Sequence, residues 1–275
     1  MIEKIHSRLW IPALTGLALV ACYAPFLRGM IGQWSSDEDM GHGFVVPLVA
    51  LWIVWRQRQG WRTLPPQPSR WGFAILAGAA CLHAAAAFGA GLFAGSLAFL
   101  VSVVGAVVCL GGFGYLRAWA FPFLLALFML PKLAIVYNQA TLPLQLMASR
   151  IAVIFLHIAG FAASREGNIL LLPNARVAVA EACNGVRYLL PLGFLALVFA
   201  YITDPKPWMR AVLLAAAVPL AILANAVRVA AVAANPVLLE DTPHFLSGVI
   251  IFVFCLALLA VLQRFVNVVY ARFHA

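Results

Sequence analysis

Charge is what this sequence has least of. Only 10% of its 275 residues are charged and only nine are acidic, whereas a water-soluble domain keeps about a quarter of its residues charged. With 65% of positions apolar and a mean hydropathy of +1.00, the chain holds more apolar surface than a soluble fold can bury. Short segments of alternating polarity are missing too, and with them the pattern of a transmembrane β-barrel. No internal repeat, low-complexity tract or linker interrupts the chain, so residues 1–275 read as a single membrane domain. His42, His157 and His244 are scattered, with no carboxylate at ligand spacing from any of them, which gives no ground to expect a metal or a cofactor.

Long apolar runs take the place of charge. A helix of about 20 such residues crosses a hydrocarbon core of ~30 Å while satisfying its own backbone. Runs at about 9–29, 43–55, 71–89, 92–114, 118–130, 184–202, 211–234 and 245–265 predict an all-α polytopic membrane protein of about eight transmembrane helices. The first run follows a short basic leader without a small-residue cleavage site and reads as a retained helix, not a signal peptide. Those at 43–55 and 118–130 are short and need flanking residues or tilt. The chain stops soon after the last run, so no soluble C-terminal domain is expected.

Charge decides the fate of a ninth run. Thr141–Ala162 is apolar enough to cross, but it carries Gln145, Arg150 and His157 and begins near Pro143. With eight crossings and both termini inside, Lys4, Arg8, Arg56, Arg58, Arg62, Arg70, Arg117, Lys206, Arg210, Arg264 and Arg272 all lie on the inner side, against only Glu3 and Asp204. That is the asymmetry the positive-inside rule demands. A ninth crossing would put Lys206, Arg210, Arg264 and Arg272 outside. The run therefore reads as an amphipathic helix in the outer interface, with Arg150 and His157 toward headgroups or water. Topology thus accounts for the +9 net charge, and no nucleic-acid partner follows from it. Beyond this helix, Ile169–Leu172, a turn at Pro173 and Asn174, and Val177–Ala180 predict a small outer β-hairpin.

Polar chemistry gathers where that hairpin meets the next span. Cys22, Cys81, Cys109 and Cys255 sit inside apolar runs, the setting of inert thiols, whereas Cys183 stands in EACNGVR beside Glu181, Asn184 and Arg187. At the N-terminus of a helix entering from outside, the macrodipole favours a thiolate, and Arg187 follows on the same face at i+4. An incidental cysteine in a capping region explains this stretch as readily when it is taken alone. The run at 211–234 adds Asn225 and Arg228, which share a face at i, i+3. Arg228 lies six residues before the outer end, about 9 Å deep. A buried arginine there costs roughly 2.5–3.5 kcal/mol on insertion scales, unless it snorkels to the headgroups. Thr242 and Pro243 then start the last span and leave His244 in its first turn. A thiol, an imidazole and a guanidinium at one membrane face are the parts of thiol acyl transfer.

The stretches EACNGVRYL, NAVR, PHFLSG and GHGFVVPLVALWIVWRQR resemble the motifs of the exosortase and archaeosortase family of membrane transpeptidases, over about residues 40–262. That resemblance implies a catalytic set of Cys183, Arg228 and His244. It also implies a sortase-like reaction at the extracytoplasmic side of a bacterial inner (plasma) membrane. The substrates implied are exported proteins ending in a Pro-Glu-Pro-type motif, a transmembrane helix and a basic tail. Asn184 departs from the serine that commonly follows the family's cysteine. Glu181, Arg187 and Asn225 are candidates to orient the thiol or the arginine, and His42 in GHGF is a candidate substrate contact or competing base. Two readings of another class stand beside this one: a transporter or channel with an anion path along Arg228, Arg187 and Asn225, and a membrane scaffold without chemistry. Membrane lipids surround the chain in every reading.

Overall fold

The computed structural model describes residues 2–37, 39–173, 175–179, 186–235, 238 and 241–274, and leaves the side chains of 2–9, 134, 186–188, 241–245 and 274 outside the description. The described chain forms two compact units, Met1–Leu133 and Ala134–Ala275.

The first unit begins with α1 (Ile2–Cys22) and α2 (Ala24–Ser36). The expected continuous span at 9–29 is instead broken at Tyr23, with a 70° bend between the two helices. Pro25 stands in the first turn of α2, where its missing N–H and fixed φ suit a helix start and not a helix interior. The Tyr23 hydroxyl, buried at the bend, pairs with Ser102 at 2.8 Å. A 3₁₀ turn at Gly41–Phe44 leads into α3 (Val45–Arg56), and α4 (Arg58–Trp61) follows.

Next come α5 (Trp71–Ala85) and α6 (Gly91–Leu110), joined by a π-turn at Ala86–Ala90. Gly89 and Gly91 take φ of 119° and 84° there, a conformation that residues with a Cβ rarely adopt. The chain reverses at that point. A Cβ on Gly72 would run into the backbone and sulfur of Cys109, yet along one straight helix these residues would stand about 55 Å apart. The two expected spans at 71–89 and 92–114 are this antiparallel pair.

The first unit ends with α7 (Phe113–Ala118) and α8 (Ala120–Ala126), extended by a 3₁₀ turn to Met129. α8 runs antiparallel to α3. At one end, Trp61 packs edge-on to Trp119 and near Tyr115, its indole N–H donates to the Val54 carbonyl, and the Tyr115 hydroxyl donates to Leu64. Arg56, Arg58 and Arg62 stack on Trp52, Trp55 and Trp61 at this end, as amphipathic rings and cations do at a membrane surface. At the other end lie Asp37, Asp39, His42 and Lys132.

The second unit starts with α9 (Ala134–Ile158), followed by a three-stranded antiparallel meander of β1 (Ser164–Glu166), β2 (Ile169–Leu172) and β3 (Ala175–Ala178). The expected hairpin corresponds to β2 and β3, but the second strand starts two residues earlier than expected, at Ala175 and not Val177, in a register that pairs Ile169 with Ala178 and Leu172 with Ala175. Three helices complete the unit: α10 (Val186–Thr203), α11 (Pro207–Ala234) and α12 (Asp241–His274). Their shared core contains Leu192, Ala196 and Ala200 from α10, Leu213, Ala217, Ala221 and Ala224 from α11, and Cys255 and Leu259 from α12. The alanines at 217, 221 and 224 form a small-residue stripe that lets helices approach closely, which supplies packing where lipid offers no hydrophobic drive.

By length and composition α9, α11 and α12 can each cross a bilayer, as can the 71–110 run and the bent α1–α2 pair, whereas α3, α8 and the described part of α10 are shorter apolar helices. α9 is therefore suited to crossing as well as to the interface that the charge argument assigns it. Cys22 and Cys81, expected among inert core thiols, lie on exposed helix faces, while Cys255 is buried.

Candidate active site

The antiparallel order of α10, α11 and α12 follows from the short connection between the first two and from a polar cluster at their common end. There the Asn267 amide donates to Asp204 at 2.7 Å and accepts from the Lys206 ammonium at 2.7 Å, and Gln263 donates to the Thr203 hydroxyl at 2.7 Å. Lys206 also lies over the Tyr270 ring. Burial alone would raise the Asp204 carboxyl. Hydrogen bonds from Asn267 and the Lys206 N–H, the Lys206 charge and Gln263 outweigh it and hold the group below its ordinary value. Lys206, Arg210, Arg264 and Arg272 all belong to this end of the bundle.

The opposite end of the same bundle carries the first turn of α10, the last turns of α11 and the first turn of α12. Arg228 and Asn225 lie there with exposures of 2% and 1%. A snorkelling arginine would present its guanidinium to the surroundings; this one is packed inside the protein. One position on, Val229 joins Ala230 and Ala233 in a cluster with Ala152 and Leu156 of α9, Leu170 of β2 and Val179 just after β3. The sheet and this stretch of α11 thus both pack on α9. Glu181 and Cys183 lie outside the described residues. Arg187 and His244 fall in the first turns of α10 and α12, and their side chains lie outside the description.

His42 belongs to the first unit. Its Nδ1 lies 3.1 Å from the Asp39 carbonyl and its Nε2 3.0 Å from the Phe128 carbonyl. Burial pushes its pKa down, against the opposing pull of both carbonyls and the Asp39 charge. Beside it the Lys132 ammonium bridges Asp37, at 2.8 Å, and Asp39. Each ring nitrogen of His42 thus lies within hydrogen-bond distance of a backbone oxygen, an arrangement that ties the start of α3 to the end of α8.

Sequence reasoning passed over a polar network under the sheet. Thr141, Gln145 and Ser149 follow one another at i+4 on α9 and are buried, with Gln145 at 5% and Ser149 at 0% exposure. The Asn168 amide donates to Gln145 at 3.2 Å and to the Val179 carbonyl at 3.3 Å, while Ser149 donates to Gly167 at 3.1 Å. The i+4 spacing of polar residues in an apolar run was the available signal. Arg150 and His157 lie on the exposed side of α9.

A family model described as transmembrane exosortase matches residues 34–261. The chain belongs to the transmembrane exosortase family. No curated protein and no solved structure matches it. Exosortases are membrane cysteine peptidases and transpeptidases acting on exported proteins with C-terminal signals, and membership makes this chain a multi-pass membrane protein of transpeptidase type. The match runs through both units and includes the segments of Cys183, Arg228 and His244.

Proposed function

We propose that the chain is a cysteine-dependent transpeptidase of a bacterial inner membrane, working at the extracytoplasmic face on exported proteins whose C-terminus carries a Pro-Glu-Pro-type motif, one transmembrane helix and a basic tail. In this reading the match across residues 34–261 is one catalytic domain with its N- and C-termini inside. The supporting observation is the burial of Arg228 at the end of the bundle where α10 and α12 begin. Cys183 is three residues before Val186, and His244 lies in the first turn of α12.

The chemistry follows from those residue types. The imidazole of His244 takes the Cys183 proton, and the thiolate attacks the scissile carbonyl to form a carbon–sulfur bond. Arg228 donates hydrogen bonds to the oxygen that gains charge, an interaction strengthened by the dry surroundings. The carbon–nitrogen bond breaks as His244 returns its proton to the leaving amine. The thioester is then resolved by an amine, a hydroxyl or water, whose proton passes to His244 while the thiolate leaves. Glu181 and Arg187 orient and poise the thiol, and Asn225 holds Arg228.

The test is Cys183→Ala in inverted and right-side-out vesicles supplied with a tripartite substrate. The variant inserts normally and loses processing by on the order of a thousandfold or more, as loss of a covalent nucleophile does. Processing at the parental rate rejects the nucleophile, and labelling of Cys183 only by reagents on the cytoplasmic side rejects the topology.

A further inference from the structure

The network under the sheet has a feature that folding alone does not require. The last residue pair of β2 and β3 is Ile169 with Ala178. Asn168 extends the pairing one residue further, because Val179 donates its N–H to the Asn168 carbonyl at 2.9 Å and the Asn168 side chain reaches the Val179 carbonyl at 3.3 Å. The same amide group donates to Gln145 Oε1 at 3.2 Å. One primary amide therefore fastens the Val179 carbonyl to α9, at the point where the chain leaves the sheet. Cys183 comes four residues later.

Gln145 is the costly member. Burying an amide in an apolar helix is unfavourable unless its partners are supplied, and Asn168 supplies the acceptor's partner. α9 is also the helix whose Ala152 and Leu156 pack with Val229, Ala230 and Ala233 beside Arg228. The clamp thus connects the approach to Cys183 with a helix packed on the same turns of α11 that carry Arg228.

We infer that Gln145 and Asn168 are positioning residues: they hold the strand end at Val179 so that the following segment presents the Cys183 sulfur at a fixed distance from Arg228. This rests on the reading of Cys183 as nucleophile. Neither residue takes part in bond making; each acts through the geometry of the thiol, where a displacement of about 1 Å costs up to a hundredfold in rate.

Three variants of the full chain in detergent or vesicles test it: Gln145→Leu, Asn168→Ala and the double replacement. Each is scored by single-turnover thioester formation, by KM for the tripartite substrate and by the pH profile of Cys183 alkylation. The expected result is a kcat lower by roughly 10- to 100-fold with KM within about twofold, and a double variant no worse than the poorer single one because both act through one hydrogen bond. Asn168 is only half-buried, so its variant keeps the test open if Gln145→Leu does not fold. A folded Asn168→Ala protein with parental kcat overturns the clamp, and so does a rise in KM at unchanged kcat. Activity in Cys183→Ala overturns instead the nucleophile reading beneath it.

Discussion

Replacing Asn267 by alanine separates α12 from the α10–α11 connection without touching the end of the bundle that carries Arg228. Asn267 gives one hydrogen bond to the carboxylate of Asp204, which is 4% exposed, and receives one from Lys206, each at 2.7 Å. A hydrogen bond to a charged group contributes about 1.5–3 kcal/mol, and one partner of each pair remains in place to be left unsatisfied. Gln263 and the Lys206 N–H stay behind and recover part of the loss, so the expected net destabilisation is about 3 kcal/mol.

The pH arm has a definite sign. The folded Asp204 carboxyl lies below its unfolded value, so its stabilisation is full above the ordinary carboxylate pKa and disappears as pH falls through the depressed folded value. Removing Asn267 takes away the largest of the stabilising hydrogen bonds, and the acid loss of the variant is therefore complete at higher pH than in the parent. Chemical unfolding in micelles at neutral pH and along an acid series reads both quantities. A loss below about 0.5 kcal/mol, the size of an ordinary surface substitution, refutes the cluster as an anchor, as does an acid transition that does not move.

Two further outcomes follow from the geometry. Lys132→Ala leaves the Asp37 and Asp39 carboxylates facing each other with side-chain exposures of 27% and 10%; breaking such a pair costs about 3 kcal/mol, the low end of the range for buried pairs because Asp37 is partly solvated. The unfolding midpoint of the variant measures it, and restoration by a second change, Asp39→Asn, confirms the cause. Arg228→Gln lowers the rate of thioester formation by about 100- to 1000-fold, the usual cost of one oxyanion donor, while Cys183 remains alkylated in the folded protein; single-turnover rates at parental values remove Arg228 from that role.

The parts of this fold that were legible in the sequence are those in which composition and local stereochemistry agree. Gly89 and Gly91 separate two apolar runs with residues that tolerate positive φ, and the chain reverses there. Pro173 and Asn174 separate two short apolar runs, and strands Ile169–Leu172 and Ala175–Ala178 form around them. Strand β1 was not legible, because Ser164, Arg165 and Glu166 carry no apolar alternation and pair only through backbone register with β2. The bend at Tyr23 was hidden by apolarity that continues unbroken through it, although Pro25 stands two residues on. α9 is ambiguous for a physical reason: its charges argue for an interface, but its polar stripe of Thr141, Gln145 and Ser149 is buried, so those residues do not count against a crossing. At the site, Arg228 was legible as an expense in an apolar run, and its burial agrees with a task beyond snorkelling. Gln145 was noted only as a polar residue in an apolar run, and its pairing with Asn168 escaped notice because neither is titratable and 23 residues of chain separate them.

Helix length connects the two ends of the second unit. From Lys206 to Arg228 the chain advances about 33 Å along α11, and from His244 to Asn267 about 35 Å along α12, each close to the ~30 Å of a hydrocarbon core. The Asp204–Asn267 cluster fixes the axial position of both helices at one end. The heights at which Arg228 and His244 stand at the other end are then set by residue count, since a helix can neither stretch nor turn without losing its hydrogen bonds. A single deletion between residues 210 and 224 would rotate Arg228 by about 100° around α11 and lower it by about 1.5 Å, turning it off the face it shares with Ala217, Ala221 and Ala224, which pack against α10 and α12. The apolar stretches of these helices therefore act on the chemistry as spacers of fixed length, and the alanine stripe that allows their close approach leaves no slack in which the error could be absorbed.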